Sequence, residues 1–394
     1  MKIYLKNANL INEGRVVNLV LEDGKVTVID KIDPEALVID LENKMVIRGF
    51  SDVHVHWDKA LITDKITNES GTLMEAISIM GPYKKTMTKE DIKDRMRRVL
   101  EMSYNNGTRF VRTNIDIDDI IGLKSLEVFN ELKEEFKGKM ILESVAFPQE
   151  GFVDHLENFE YLEKALQNGA DVLGGIPATE SNPQKHIEML FDLANKYDVD
   201  LDMHIDETDD PNSECLKLLA EHKMKTNFKN KVVAGHCCSL ASQEEDVVSK
   251  TIEKAKSAEI YVVSLPSTNL YLQGRGDTTR VRRGITPIKK IYENGVKVAI
   301  ASDNIRDPFN CFGNGNVLQT AYITAHGSHM GGTQDLNNLF DMVSKNGMEI
   351  MNQDHKVEGS NFFVVVDAKT PSEAIIGQKG IYAIYEEGKF VQNR

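Results

Sequence analysis

Two periodicities alternate along the chain. Short apolar runs in which every second side chain shares a face recur at 51–58, 109–115, 140–147, 172–177, 200–206, 232–238, 260–265 and 296–303. Between them lie longer polar stretches with helical spacing of their apolar positions, among them 89–105, 123–136, 182–197, 243–258 and 288–294. Strands alternating with amphipathic helices predict βα units around a parallel sheet, and eight such strands suit a closed barrel. The expected fold class is therefore α/β, a (β/α)8 TIM barrel.

The two ends of the chain read differently. Residues 18–22 and 26–30 are strand-like and flank Asp23-Gly24-Lys25, a hairpin turn. Residues 361–367, 380–385 and 390–391 are similarly extended. The ends are expected to meet in one small β-sandwich domain made of 1–48 and 361–394, which leaves 49–360 for the barrel.

Composition narrows the function classes. The 394 residues are 41% hydrophobic and 27% charged, ordinary values for a globular protein. Lys+Arg 47 against Asp+Glu 61 gives a net charge of −14 with no long basic run, a surface that repels phosphate backbones. No nucleic-acid partner is expected. The start has no apolar leader, and no apolar run is long enough to span a bilayer, so no membrane partner and a cytoplasmic location are expected. Cys215, Cys237, Cys238 and Cys311 contain no C-x-x-C pair, so a metal would have to be held by histidine and carboxylate.

Such residues stand where barrel chemistry takes place, at strand C-termini. His54 and His56 share one face of their strand and can both reach one ion. In 201–207, Leu201, Met203 and Ile205 are expected to point outward, with Asp202, His204 and Asp206 inward. His236 ends the run 232–236. In 296–303, Val296, Val298 and Ile300 form the outer face, while Ala299 and Ala301 share the inner one with Asp303. Five polar groups, His54, His56, His204, His236 and Asp303, thus converge on one mouth. Buried polar groups cost free energy unless paired, so a purely structural reason for the set is weak. His155, His186, His222, His326, His329 and His355 fall in helix-like or loop segments and read as core or solvated residues.

At these motifs the chain resembles a known family. G-F-S-D-V-H-V-H (49–56), H-I-D-E-T-D-D (204–210), A-G-H-C-C (234–238) and S-D-N-I-R-D-P (302–308) resemble the amidohydrolase superfamily, in its cytosine deaminase-like branch. V-A-F-P-Q-E-G (145–151) and L-Q-G-R-G-D-T-T-R-V-R-R-G-I-T (272–286) extend the resemblance over essentially the whole chain. It implies metal ligation by His54, His56, His204 and Asp303. No lysine ends the fourth strand, at Gly175-Ile176-Pro177-Ala178, so the carboxylated-lysine bridge of dinuclear relatives is absent. One divalent ion, zinc or iron, is the implied cofactor.

The same resemblance implies a hydrolytic deaminase of a small cyclic amidine. Glu207 would protonate a ring nitrogen, and Asp303 and His236 would take the proton of the attacking water. Gln149 would read the substrate's neighbouring N–H and C=O, since an amide offers both donor and acceptor. The loop 272–286 is assigned to loop order or subunit contact, in an expected homo-oligomer. Three positions depart from the cytosine deaminases that the chain resembles. Asn304 stands in place of a second aspartate, Phe309 in place of a tryptophan, and Lys59 in place of a threonine-like residue. All three are candidate substrate contacts. They leave the heterocycle open between cytosine, creatinine and an N-alkylammelide.

Overall fold

The computed structural model describes residues 2–33 and 35–393. Its strands are β1 (Ile3–Leu10), β2 (Arg15–Glu22), β3 (Lys25–Ile29), β4 (Val38–Asp40), β5 (Met45–Ile47), β6 (Phe50–Val55), β7 (Thr108–Asp116) and β8 (Ile141–Phe147). There follow β9 (Val172–Gly175), β10 (Leu201–Ile205), β11 (Val232–His236), β12 (Ile260–Ser264), β13 (Val298–Ile300), β14 (Phe363–Val366), β15 (Ile381–Glu386) and β16 (Lys389–Gln392). The helices are α1 (Leu73–Lys84), α2 (Lys89–Asn105), α3 (Lys124–Glu135), α4 (Leu156–Gln167), α5 (Pro183–Tyr197), α6 (Cys215–Thr226) and α7 (Glu245–Ser257). The remainder are α8 (Pro266–Leu272), α9 (Ile288–Glu293), α10 (Val317–Gly327), α11 (Thr333–Met342), α12 (Lys345–Ile350) and α13 (Pro371–Gly377).

Strands β6 to β13 pair in sequence order, each parallel to the next. The barrel closes between its first and last strands. Val55 bridges Asp303 in parallel, the Asp303 N–H donates to the His54 carbonyl at 2.9 Å, and the Asp52 carboxylate accepts from the Ser302 N–H at 2.9 Å. Alternation along each strand then sorts the side chains. Val232, Ala234, Val262, Val298 and Ile300 join the large core under the helices, while Val233, Val263, Ala299 and Ala301 fill the interior. The eighth strand, Val298–Ile300, is shorter than its pattern predicts, and beyond it Asp303 adopts a left-handed φ of 63°.

The helices follow from capping and spacing. The Thr88 side chain accepts from the Asp91 N–H at 3.2 Å and starts α2, which buries Ile92, Met96, Val99 and Leu100 at helical intervals. Asn182 caps α5 in the same way, with Pro183 in the first turn. The sequence pattern does not mark helices α1, α4, α6, α8 and α10 to α13. Several are short, and α1 carries Pro82 inside it, so their repeat is poorly marked.

Both ends of the chain build one mixed eight-stranded sheet, ordered β16-β15-β14-β5-β1-β2-β3 with β4 also on β1. The seam is β5, parallel to β1 and antiparallel to β14. Leu5, Leu19, Val46, Phe363, Val365 and Tyr385 form its separate core. Among the described residues no helix is long and apolar enough to cross a membrane.

Candidate active site

Four candidate ligand side chains meet at the C-terminal mouth of the barrel. His54 and His56 reach it from β6, His204 from β10, and Asp303 from just beyond β13. The Nε2 atoms of His54 and His56 lie 3.2 and 3.1 Å from Nε2 of His204. Asp303 Oδ1 lies 3.4 Å from His56 Nε2 and 3.8 Å from His54 Nε2. Ligands at ~2.1 Å around a tetrahedral ion stand ~3.4 Å apart, and these four separations lie near that value.

The polar atoms of the cluster also lack other employment. Both carboxylate oxygens of Asp303, Nε2 of His236, and Nδ1 of His54, His56 and His204 are buried without a hydrogen-bond partner. Burial, ahead of all other causes, lowers the histidines, His54 and His236 to about 3 and His56 and His204 well below their ordinary value. Neutral imidazole is the form that ligates a metal. The set can therefore hold a divalent ion, and either His54, His56 and His204 or His54, His236 and Asp303 brings three ligand atoms close together. The Phe147 ring stacks on His204 at 4.2 Å and 22°, which fixes the plane of that imidazole.

Two further groups stand at the rim. Glu207 Oε1 lies 3.5 Å from His236 Nδ1. Burial, with the nearby Asp303 charge second, raises the Glu207 carboxyl well above its ordinary range, so it favours the protonated form. His236 ends β11 in a left-handed conformation, φ 66°, and its Nδ1 meets the Asn269 side-chain amide at 3.0 Å. Asn269 comes from α8, and nothing in the local pattern of the chain marks it.

Asp206 corrects the inward set expected for β10. It follows the strand with φ 51° and turns to the start of α6, where its carboxylate accepts from the Cys215 and Leu216 N–H groups at 2.9 and 3.0 Å. Asp202 does point inward. It accepts from Arg112 Nη1 at 3.1 Å, and its other oxygen lies 3.9 Å from His54 Nδ1.

The candidate substrate contacts fall into two groups. Lys59 is fully buried and donates to Asp116 at 2.6 Å and to the Gln149 amide oxygen at 3.1 Å. Its ammonium stands 5.5 Å from the Phe309 ring and 5.6 Å from Phe147. Asn304 instead gives its amide N–H to Asp307 at 2.8 Å, and it lines a cavity of about 610 Å³ whose walls include none of the five clustered residues. No motif of the sequence marks Asp116, although β7 carries an inward polar series, Arg112, Asn114 and Asp116, at alternate positions.

Residues 45–360 match the model of the Amidohydrolase family. A pterin deaminase of Rhizobium rhizogenes is 36% identical over 70% of this chain, and the match spans 63% of that relative's length. N-isopropylammelide isopropyl amidohydrolase of a Pseudomonas species is 28% identical over 99% of this chain and 96% of its own. The crystal structure of 5-methylcytosine deaminase from Klebsiella pneumoniae liganded with phosphonocytosine superposes with a TM-score of 0.92 at 31% identity, covering 100% of this chain and 98% of that one. With the barrel and the histidine–aspartate cluster in place, the match over most of its length shows that the chain belongs to the amidohydrolase family.

Proposed function

We propose that this protein is a metal-dependent hydrolytic deaminase that releases ammonia from a small cyclic amidine of the nucleobase type. The observation that carries this reading is the convergence of His54, His56, His204 and Asp303 on one point, with Glu207 and His236 at its edge. One divalent ion held there, zinc or iron, would supply Lewis acidity and lower the pKa of a water. Asp303 and His236 accept the proton of the attacking water, and Glu207 delivers a proton to the ring nitrogen beside the amidine carbon. The water oxygen joins that carbon, and the proton taken up by Asp303 and His236 passes to the exocyclic amine. The carbon–nitrogen bond breaks so that ammonia leaves, and the remaining hydroxyl proton returns to Glu207 as the ring carbonyl forms.

Gln149, Lys59 and Phe309 form one wall of the substrate site in this reading, and Asn304 belongs to the same loop as Phe309. Residues 49–360 carry the chemistry, while 1–48 and 361–394 form a satellite β domain, in a cytoplasmic homo-oligomer. The relatives' names support a heterocyclic substrate, pterin and 5-methylcytosine among them. A second reading, cleavage of an alkylamine from an N-alkylammelide, is favoured by the relative aligned over 99% of the chain. Creatinine is the further alternative.

The test is an ammonia-release screen of metal-replete protein with cytosine, 5-methylcytosine, isocytosine, pterin, creatinine and ammeline, run beside Glu207→Gln. Turnover of one ring, with kcat lowered about 10²–10⁴-fold in the variant and its metal content unchanged, supports the assignment. Isopropylamine release from N-isopropylammelide alone supports the second reading. No release from any ring by fully loaded protein overturns both.

A further inference from the structure

The buried ammonium of Lys59 decides what its neighbour can say to a ligand. An ammonium has three N–H donors and no acceptor, whereas a glutamine amide has an acceptor end and a donor end. Gln149 must therefore turn its oxygen toward Lys59, as the 3.1 Å contact records. Its Nε2 then faces away, and it donates to no acceptor among the described residues. Lys59 itself spends two of its three donors, on Asp116 and Gln149. An N–H of a ligand that sought the Gln149 oxygen would bring its positive hydrogen close to that ammonium.

The arrangement is pinned from behind. Asp116 holds Lys59 with Oδ1, while its Oδ2 lies 3.5 Å from Lys84. Lys84 donates in turn to Asp118 and is ion-paired with Glu150 at 2.8 Å. The Asp116 N–H donates to Asp58 at 2.9 Å. Phe147 and Phe309 flank the ammonium and leave it no other polar neighbour on those sides.

We propose that Lys59, held by the positioning residue Asp116, locks Gln149 as a hydrogen-bond donor, so that this wall selects a substrate edge made of acceptors. Such an edge carries an oxo group beside a second oxo group or an unprotonated or ionised ring nitrogen. An edge that alternates N–H with C=O, which a free glutamine amide would read, is disfavoured. The inference rests on the proposed deaminase reading for the location of the substrate, and it names the class of ring the site would take.

Equilibrium binding of isosteric planar probes tests the wall without turnover. Benzoate offers two acceptors, benzamide one acceptor and one donor, and benzamidine donors only. Their affinities are measured by calorimetry on metal-loaded wild type, Lys59→Met, Lys59→Arg, Asp116→Asn and Gln149→Glu. The readout is the benzoate-to-benzamide affinity ratio, in which any contribution of the metal cancels between variants. The ratio should favour benzoate in wild type and fall about tenfold or more in Lys59→Met, the worth of one charge-assisted hydrogen bond. Lys59→Arg, which keeps the cation, should retain most of the preference. Asp116→Asn should shift the ratio toward benzamide while both probes still bind, an effect that mere loosening of the fold would not have. Gln149→Glu, with acceptors alone at its tip, should also lose benzoate preferentially. An unchanged ratio in Lys59→Met and Gln149→Glu, or a wild type that prefers benzamidine, overturns the proposal. Because nothing is turned over, that result leaves the deaminase reading to its own screen.

Discussion

Gly235 leaves the space that the ring of His54 occupies: a Cβ at position 235 would stand 2.8 Å from His54 Cε1. The contact runs across the barrel interior from β11 to β6, where interiors are close-packed and the ring has no room to retreat. Gly235→Ala should therefore displace His54, lowering divalent-metal affinity about 10–100-fold, the range found when support of a ligand is lost. The strain of overpacking should cost about 1–3 kcal/mol. Chelator competition and urea melts read the two effects, and full metal affinity in the variant would show that the ring can shift freely.

Without metal the cluster should make stability fall on acidification. Burial holds His54 and His236 at about 3 and His56 and His204 well below their ordinary value. Unfolded histidines titrate near ~6.5, so unfolding takes up protons below that pH. The stability these groups allow is complete above ~6.5 and is lost as the pH drops through ~6.5 toward their folded values. Urea melts of chelator-stripped protein between about pH 7.5 and pH 4.5 should show it, with a slope larger than a single proton gives.

Asp307 should act with the opposite sign. Burial pushes its carboxyl up to about 7, although Asn304 and the Phe309 and Asn310 N–H groups stabilise its charge. The folded chain keeps a proton that the unfolded chain gives up near ~3.9, so stability falls as pH rises from ~4 to ~7. Asp307→Asn has no proton to lose. Its stability relative to wild type should rise across that window by a few kcal/mol at most, read as the difference between melts at about pH 4.5 and pH 8.

Arg112 lies beneath the cluster, buried, with its guanidinium 2.9 Å from Glu143 and 3.1 Å from Asp202. Arg112→Met would leave three carboxylates, Glu143, Asp202 and Asp200, without the cation they share. Removal of one side of such a buried ion network costs about 3–5 kcal/mol. Adding Asp202→Asn to the same chain should recover part of that loss, and denaturant melts of the single and double variants measure it.

What the sequence determined was local. The two-residue repeat sorts inner from outer side chains wherever a strand continues, so His54, His56 and His204 could be placed on the barrel's inner face, and His236 and Asp303 at strand ends, from their positions alone. The tertiary structure decided what depends on partners from elsewhere in the chain. It turned Asp206 to the start of α6, ended β13 before Asp303, tied Asn304 to Asp307, and brought Asn269 from α8 to His236. It also set Asp116 behind Lys59, and so gave the Gln149 amide its direction. A repeat encodes which way a side chain points, but a hydrogen bond has a donor and an acceptor, and the choice between them is made only when the closed barrel brings the two together.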